Sequence, residues 1–84
     1  MIYLVLKFLF MEDGTVKKSV YDFSGEDSFK KALSSFHTNC TNGIATEGVT
    51  KVAVELIDEK LNVHRTEKWK KDSEEVTYIE TVAE

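Results

Sequence analysis

The run Ile2-Tyr3-Leu4-Val5-Leu6-Lys7-Phe8-Leu9-Phe10-Met11 constrains the fold more than any other stretch, because nine of its ten residues are large and apolar. It has about half of the roughly 20 apolar residues that a bilayer span needs. It closes on Asp13-Gly14, a two-residue hairpin signal. A short apolar run bounded by turn residues reads as a central strand buried on both faces.

After the turn, Thr15 to Phe23 is rich in β-branched and aromatic residues, as a returning strand requires. A two-residue turn pairs Glu12 with Thr15, which sets Phe8 opposite Ser19, Leu6 opposite Tyr21 and Leu4 opposite Phe23. One face then carries Leu4, Leu6, Phe8, Phe10, Tyr21 and Phe23, and it is the better core. The other carries Tyr3, Val5, Lys7, Leu9 and Met11. Lys17 and Lys18 suit an edge strand, where charge discourages pairing with another chain.

Ser24-Gly25-Glu26-Asp27 reads as a helix start, with Ser24 as the cap and Asp27 in capping-box position. Phe29, Leu33, Phe36, Cys40 and Ile44 follow at helical spacing, which predicts a helix over about residues 26–45. Val49 to Ile57 alternates as a third strand with Val52, Val54 and Leu56 inward. Val63 to Trp69 returns as a charged fourth strand. The expected fold is α+β, a two-layer β-β-α-β-β sandwich with strand order 2-1-3-4 and one helix on one face. Residues 1–69 form one domain, and residues 70–84 are a charged extension that reads either as an extra strand or as a disordered end.

The net charge of −4 disfavours a non-specific duplex-DNA binder, which needs a basic face for phosphates. A single cysteine, Cys40, allows no internal disulfide, so a reducing compartment is expected. The apolar run lacks a basic leader and a small-residue cleavage site, and the expected location is the cytoplasm. No membrane contact, metal or cofactor is expected. Histidines 37 and 64 with Cys40 lack the paired spacing of a zinc site, and no catalytic motif is present, so the reading is not an enzyme.

Two surfaces remain. Tyr3, Val5, Leu9 and Met11, joined by Val20 and Ile57, form an apolar sheet face that one helix cannot cover, with Lys7 at its centre. Either the C-terminal tail folds over that face or a second subunit does, and self-association is the favoured expectation. Lys7 must snorkel, pair with Glu55 or Asp22, or hold an anion. The second surface is a candidate ligand site: His37, Thr38 and Asn39 on the helix, with His64, Arg65, Lys68 and Trp69 on the fourth strand. Aromatic and basic groups together can stack a base or hold a phosphate.

The segments "EDGTVKKSVYDF", "ALSSFHTN", "VTKVAVELIDE" and "RTEKW" resemble a group of small uncharacterised proteins from phages, prophages and mobile elements of Gram-positive bacteria. The resemblance spans about residues 2–69. It implies an accessory protein that acts by binding a host protein or sequestering a small ligand such as a nucleotide signal, including inhibition of host defence. The alternatives are an assembly protein that acts through oligomerisation alone, or a small nucleic-acid-binding module.

Overall fold

A computed structural model of the chain describes residues 1–71 and 75–80. The strands are β1 (Tyr3–Met11), β2 (Val16–Phe23), β3 (Val49–Asp58), β4 (Val63–Lys70) and β5 (Glu75–Glu80), with one helix, α1 (Ser28–Ala45), between β2 and β3. All neighbouring strands are antiparallel, in the order β2-β1-β3-β4-β5. The expected 2-1-3-4 arrangement holds, and β5 extends it at the β4 edge. The apolar strand β1 sits inside the sheet between β2 and β3, and α1 lies across one face. The other residues of the expected extension, 72–74 and 81–84, lie outside the described residues.

The first hairpin corrects the expected register. Its loop is Glu12-Asp13-Gly14: the Met11 amide donates to the Thr15 carbonyl at 2.9 Å, and the Gly14 amide donates to the Met11 carbonyl at 3.1 Å. Gly14 takes φ +89°, which a side chain would oppose. A three-residue loop with a left-handed glycine is the turn-plus-bulge form, and it shifts the pairing by one residue from that of a two-residue turn. Asp13 reinforces it, because its Oδ1 accepts from both the Thr15 amide at 2.9 Å and the Thr15 hydroxyl at 2.6 Å. In the observed register Val5 faces Tyr21, Lys7 faces Ser19 and Phe8 faces Lys18.

A one-residue slip moves one strand's side chains to the opposite face. Tyr21 and Phe23 are on the helix side as expected, but β1 presents Tyr3, Val5, Lys7 and Leu9 there, not Leu4, Leu6, Phe8 and Phe10. The pairing of Val5 with Leu56 and of Leu9 with Val52 fixes the same face across β3. Val5, Phe36, Val54 and Leu56 are the largest side chains closed from solvent, and Leu9, Ala32, Cys40, Val49 and Val52 complete the core.

The helix begins later than the capping-box reading implies. Asp27 is the cap residue in the left-handed region, φ 58°, with no capping side-chain bond, and Ser24-Gly25 belongs to the turn before it. Its buried line is Ser28, Ala32, Phe36, Asn39, Cys40 and Gly43, so Phe29 and Leu33 pack at its flank. Small residues at Ala32 and Gly43 let the helix settle close to the sheet. A Cβ on Gly43 would lie 2.9 Å from Val52 Cγ1 and 3.3 Å from Leu9 Cδ2. In an open helix Gly→Ala stabilises by about 0.5–1 kcal/mol. Here overpacking wins, and Gly43→Ala is expected to lose about 1–2 kcal/mol in urea denaturation; a gain would mean that the helix stands off the sheet.

Candidate functional site

With α1 on one side, no other described element lies across the opposite side of the sheet, the open side. It reads as four rows across β2, β1, β3 and β4. The first is Asp22, Leu4, Ile57 and Val63; the second is Val20, Leu6, Glu55 and Thr66. The third is Lys18, Phe8, Ala53 and Lys68; the fourth is Val16, Phe10, Lys51 and Lys70. The β1 members are half-buried by their neighbours, and Val20 is 65% exposed. The centre is therefore apolar and the flanks are charged. Lys51 Nζ stands 5.0 Å from the Phe10 ring centroid, a cation over an aromatic face.

The residues expected for self-association divide between the two sides. Tyr3, Val5, Lys7, Leu9 and Met11 lie beneath the helix, with Val5 and Leu9 in the core and Tyr3 and Met11 packed against it. Val20 and Ile57 are on the open side. Among the described residues an apolar face without a covering element is present, but Leu4, Leu6, Phe8 and Phe10 build it. Reading Glu12-Asp13-Gly14 as a three-residue loop is the sequence signal that would have placed them there.

Lys7 resolves differently from each of its expected roles. Its Nζ donates to Asn39 Oδ1 at 3.1 Å, and Asn39 Nδ2 donates to the Ser35 carbonyl at 2.9 Å and to Ser35 Oγ at 3.1 Å. Asn39 is buried and serves the helix–sheet seam. His37 and Thr38 are on the outer side of the helix, where with Thr41 and Asn42 they line a shallow depression of about 280 Å³.

Strand alternation also separates the expected β4 group. Trp69, opposite Val52, packs against the core from the helix side, whereas Lys68 points to the open face and is exposed. The Arg65 guanidinium stands 5.8 Å from the Phe29 centroid and donates to the His64 carbonyl at 2.9 Å. His64 occupies the bulge opposite the Leu56–Ile57 step and is buried. Thus His37 and Thr38, Trp69, Arg65 with His64, and Lys68 occupy separate places and do not converge.

His64 Nε2 and Asp58 Oδ2 are 2.9 Å apart, and the Tyr3 and Phe29 rings pack edge-on to the imidazole at 5.5 and 5.6 Å. The Lys60 and Asn62 amides donate to Asp58 Oδ1 at 2.8 and 3.1 Å, and Asn62 Nδ2 donates to Oδ2 at 3.2 Å. Burial alone would raise the Asp58 carboxyl, but the bonds from His64, Asn62 and Lys60 outweigh it and hold the pKa at about 2. These donors tie the β3–β4 turn together, a structural use of a carboxylate–imidazole pair.

A carboxyl whose pKa falls on folding stabilises the native state above its unfolded value and loses that contribution as acid protonates it. The window for Asp58 therefore runs from about pH 4 down to about pH 2. Asp58→Asn is expected to melt below the unaltered chain at pH 6, with the gap closing toward pH 2. A gap of constant size would remove the carboxylate from the turn's stability.

Burial pushes the Cys40 thiol far up, and the hydrogen bond and charge of Glu67 push it further. A thiol held protonated in the core is a packing group and not a nucleophile. Among the described residues, no group of three or more histidine, cysteine, aspartate or glutamate side chains is placed to hold a metal ion. No helix among them is long and apolar enough to cross a membrane. Comparison of the chain with protein-family models, with curated proteins and with solved structures finds no match.

Proposed function

We propose that this chain is a non-enzymatic binding module whose working surface is the open face of its sheet, and that it self-associates through that face. One observation carries the reading: Leu4, Leu6, Phe8 and Phe10 form an unbroken apolar line along β1 on the side that α1 does not cover, with Val20 and Ile57 beside it. Single exposed apolar residues are ordinary, but a continuous apolar surface is a place where another surface docks. An accessory protein that acts by occupancy, as the sequence resemblance implies, needs such a surface and no catalytic group.

Light scattering over a concentration series tests the reading. The chain is expected to grow in mass with concentration, and Leu6→Lys is expected to remain monomeric with an unchanged circular dichroism spectrum. A folded monomer at hundreds of micromolar would overturn it.

A second reading has its own support. Phe8 and Phe10 are neighbours on one face of a strand, flanked by Lys18, Lys51 and Lys68, which is the combination of stacking surface and cations that single-stranded nucleic acid uses. The expected sign would be oligonucleotide binding that weakens with salt and is lost in Phe8→Ala. The overall charge of −4 works against it, which is why self-association comes first.

A further inference from the structure

The charges on the open face are sorted along the strands. Among the described side chains, the Phe8 and Phe10 rows carry Lys18, Lys51 and Lys68, while the Leu4 and Leu6 rows carry Asp22 and Glu55. Lys70 also falls in the Phe10 row. Two identical sheets stacked face to face are related by a two-fold axis lying in the interface. An axis running along the strands sets every row over its own copy and stacks lysines on lysines. An axis running across the strands reverses the rows and brings the basic half of each face over the acidic half of the other.

We infer that the occupant of the open face is a second copy of this chain, stacked with its strands antiparallel about a two-fold axis across the Leu6 row. This rests on the self-association proposed above and gives it a geometry. Leu6 then meets its own copy, Phe8 lies over Leu4, and Lys18 lies over Asp22. With the axis across the Leu6 row, the Leu4, Leu6 and Phe8 rows overlap and the Phe10 row lies beyond the overlap. From strand spacing and rise per residue, these three rows offer about 400 Å² of sheet per protomer. Two protomers together bury about 800 Å², the range of weak, transient interfaces. A weak dimer is therefore expected. Glu55, in the axial row, meets its own copy and is the like-charge contact that limits affinity.

Lys18 and Asp22 are exposed, and four residues along one strand set them about 13 Å apart, beyond direct pairing within a chain. A charge exchange between them therefore reports only on contact between copies. Sedimentation equilibrium is the measurement, with circular dichroism melts to show that each variant folds. K18D and D22K are each expected to raise the dimer dissociation constant about tenfold. The double variant K18D/D22K is expected to recover most of that loss, and E55Q is expected to tighten the dimer. A dimer that the double exchange does not rescue would overturn this stacking while leaving self-association standing. A chain that stays folded and monomeric at every concentration would remove both. Monomers that instead bind single-stranded oligonucleotides in a salt-dependent way would assign the face to nucleic acid.

Discussion

Phe36→Ala is expected to remove most of the stability of this domain. The ring is closed from solvent at the centre of α1 and shares the core with Val5, Val54 and Leu56, the other large side chains closed from solvent. Truncating a buried phenylalanine costs about 3–5 kcal/mol, from lost transfer energy and from the cavity left behind. A chain of this size has roughly 4–12 kcal/mol in total, so the variant stands close to unfolding at room temperature. One kilocalorie shifts the melting temperature of so small a domain by about 4–8 °C, and the expected fall is therefore about 15 °C or more. Leu33→Ala, at the half-buried flank of the same helix, is expected to lose less. Thermal melts at one fixed concentration check this and keep association constant. Equal losses at the two positions would mean that the helix is rotated from the orientation described.

The architecture was legible from patterns that do not depend on register. The density of apolar residues in β1, the alternation in β3 and the helical spacing from Phe29 to Ile44 set the element order, the strand order and the covering helix. What could not be read was which side of β1 meets the helix, since both of its faces are apolar and alternation carries no information there. The decision passes to the turn, where Asp13-Gly14 has the signature of a two-residue loop but Glu12 belongs to it as well. That slip exchanged the faces of β1 while leaving Tyr21, Phe23, Val52, Val54 and Leu56 on their proper side. The expected ligand-site residues lie apart for a related reason. Neighbours in sequence on β4 point to opposite faces, so Trp69 and Lys68 could not share a surface. Asn39 was unreadable in another way, because its partner Lys7 is 32 positions away and only the packed helix brings them together.

Aspartate at Val5 and at Leu6 gives opposite outcomes if the faces are as described. These residues are adjacent on β1, similar in character, and indistinguishable by propensity or by sequence pattern. Val5 has no exposure and sits under the helix between Tyr21 and Leu56. A carboxylate there would be buried among apolar core side chains, and burying such a group costs several kilocalories, enough to prevent folding. Leu6 faces outward between Val20 and Glu55, where a carboxylate keeps its water. Val5→Asp is therefore expected to give an unfolded spectrum at neutral pH. Leu6→Asp is expected to lose no more than about 1 kcal/mol and to abolish association, because it adds a second carboxylate to the row that already holds Glu55. Circular dichroism and light scattering on the two proteins decide it. A folded Val5→Asp beside an unfolded Leu6→Asp would restore the two-residue turn, return Leu4, Leu6, Phe8 and Phe10 to the core, and place the exposed surface on the other side of the sheet.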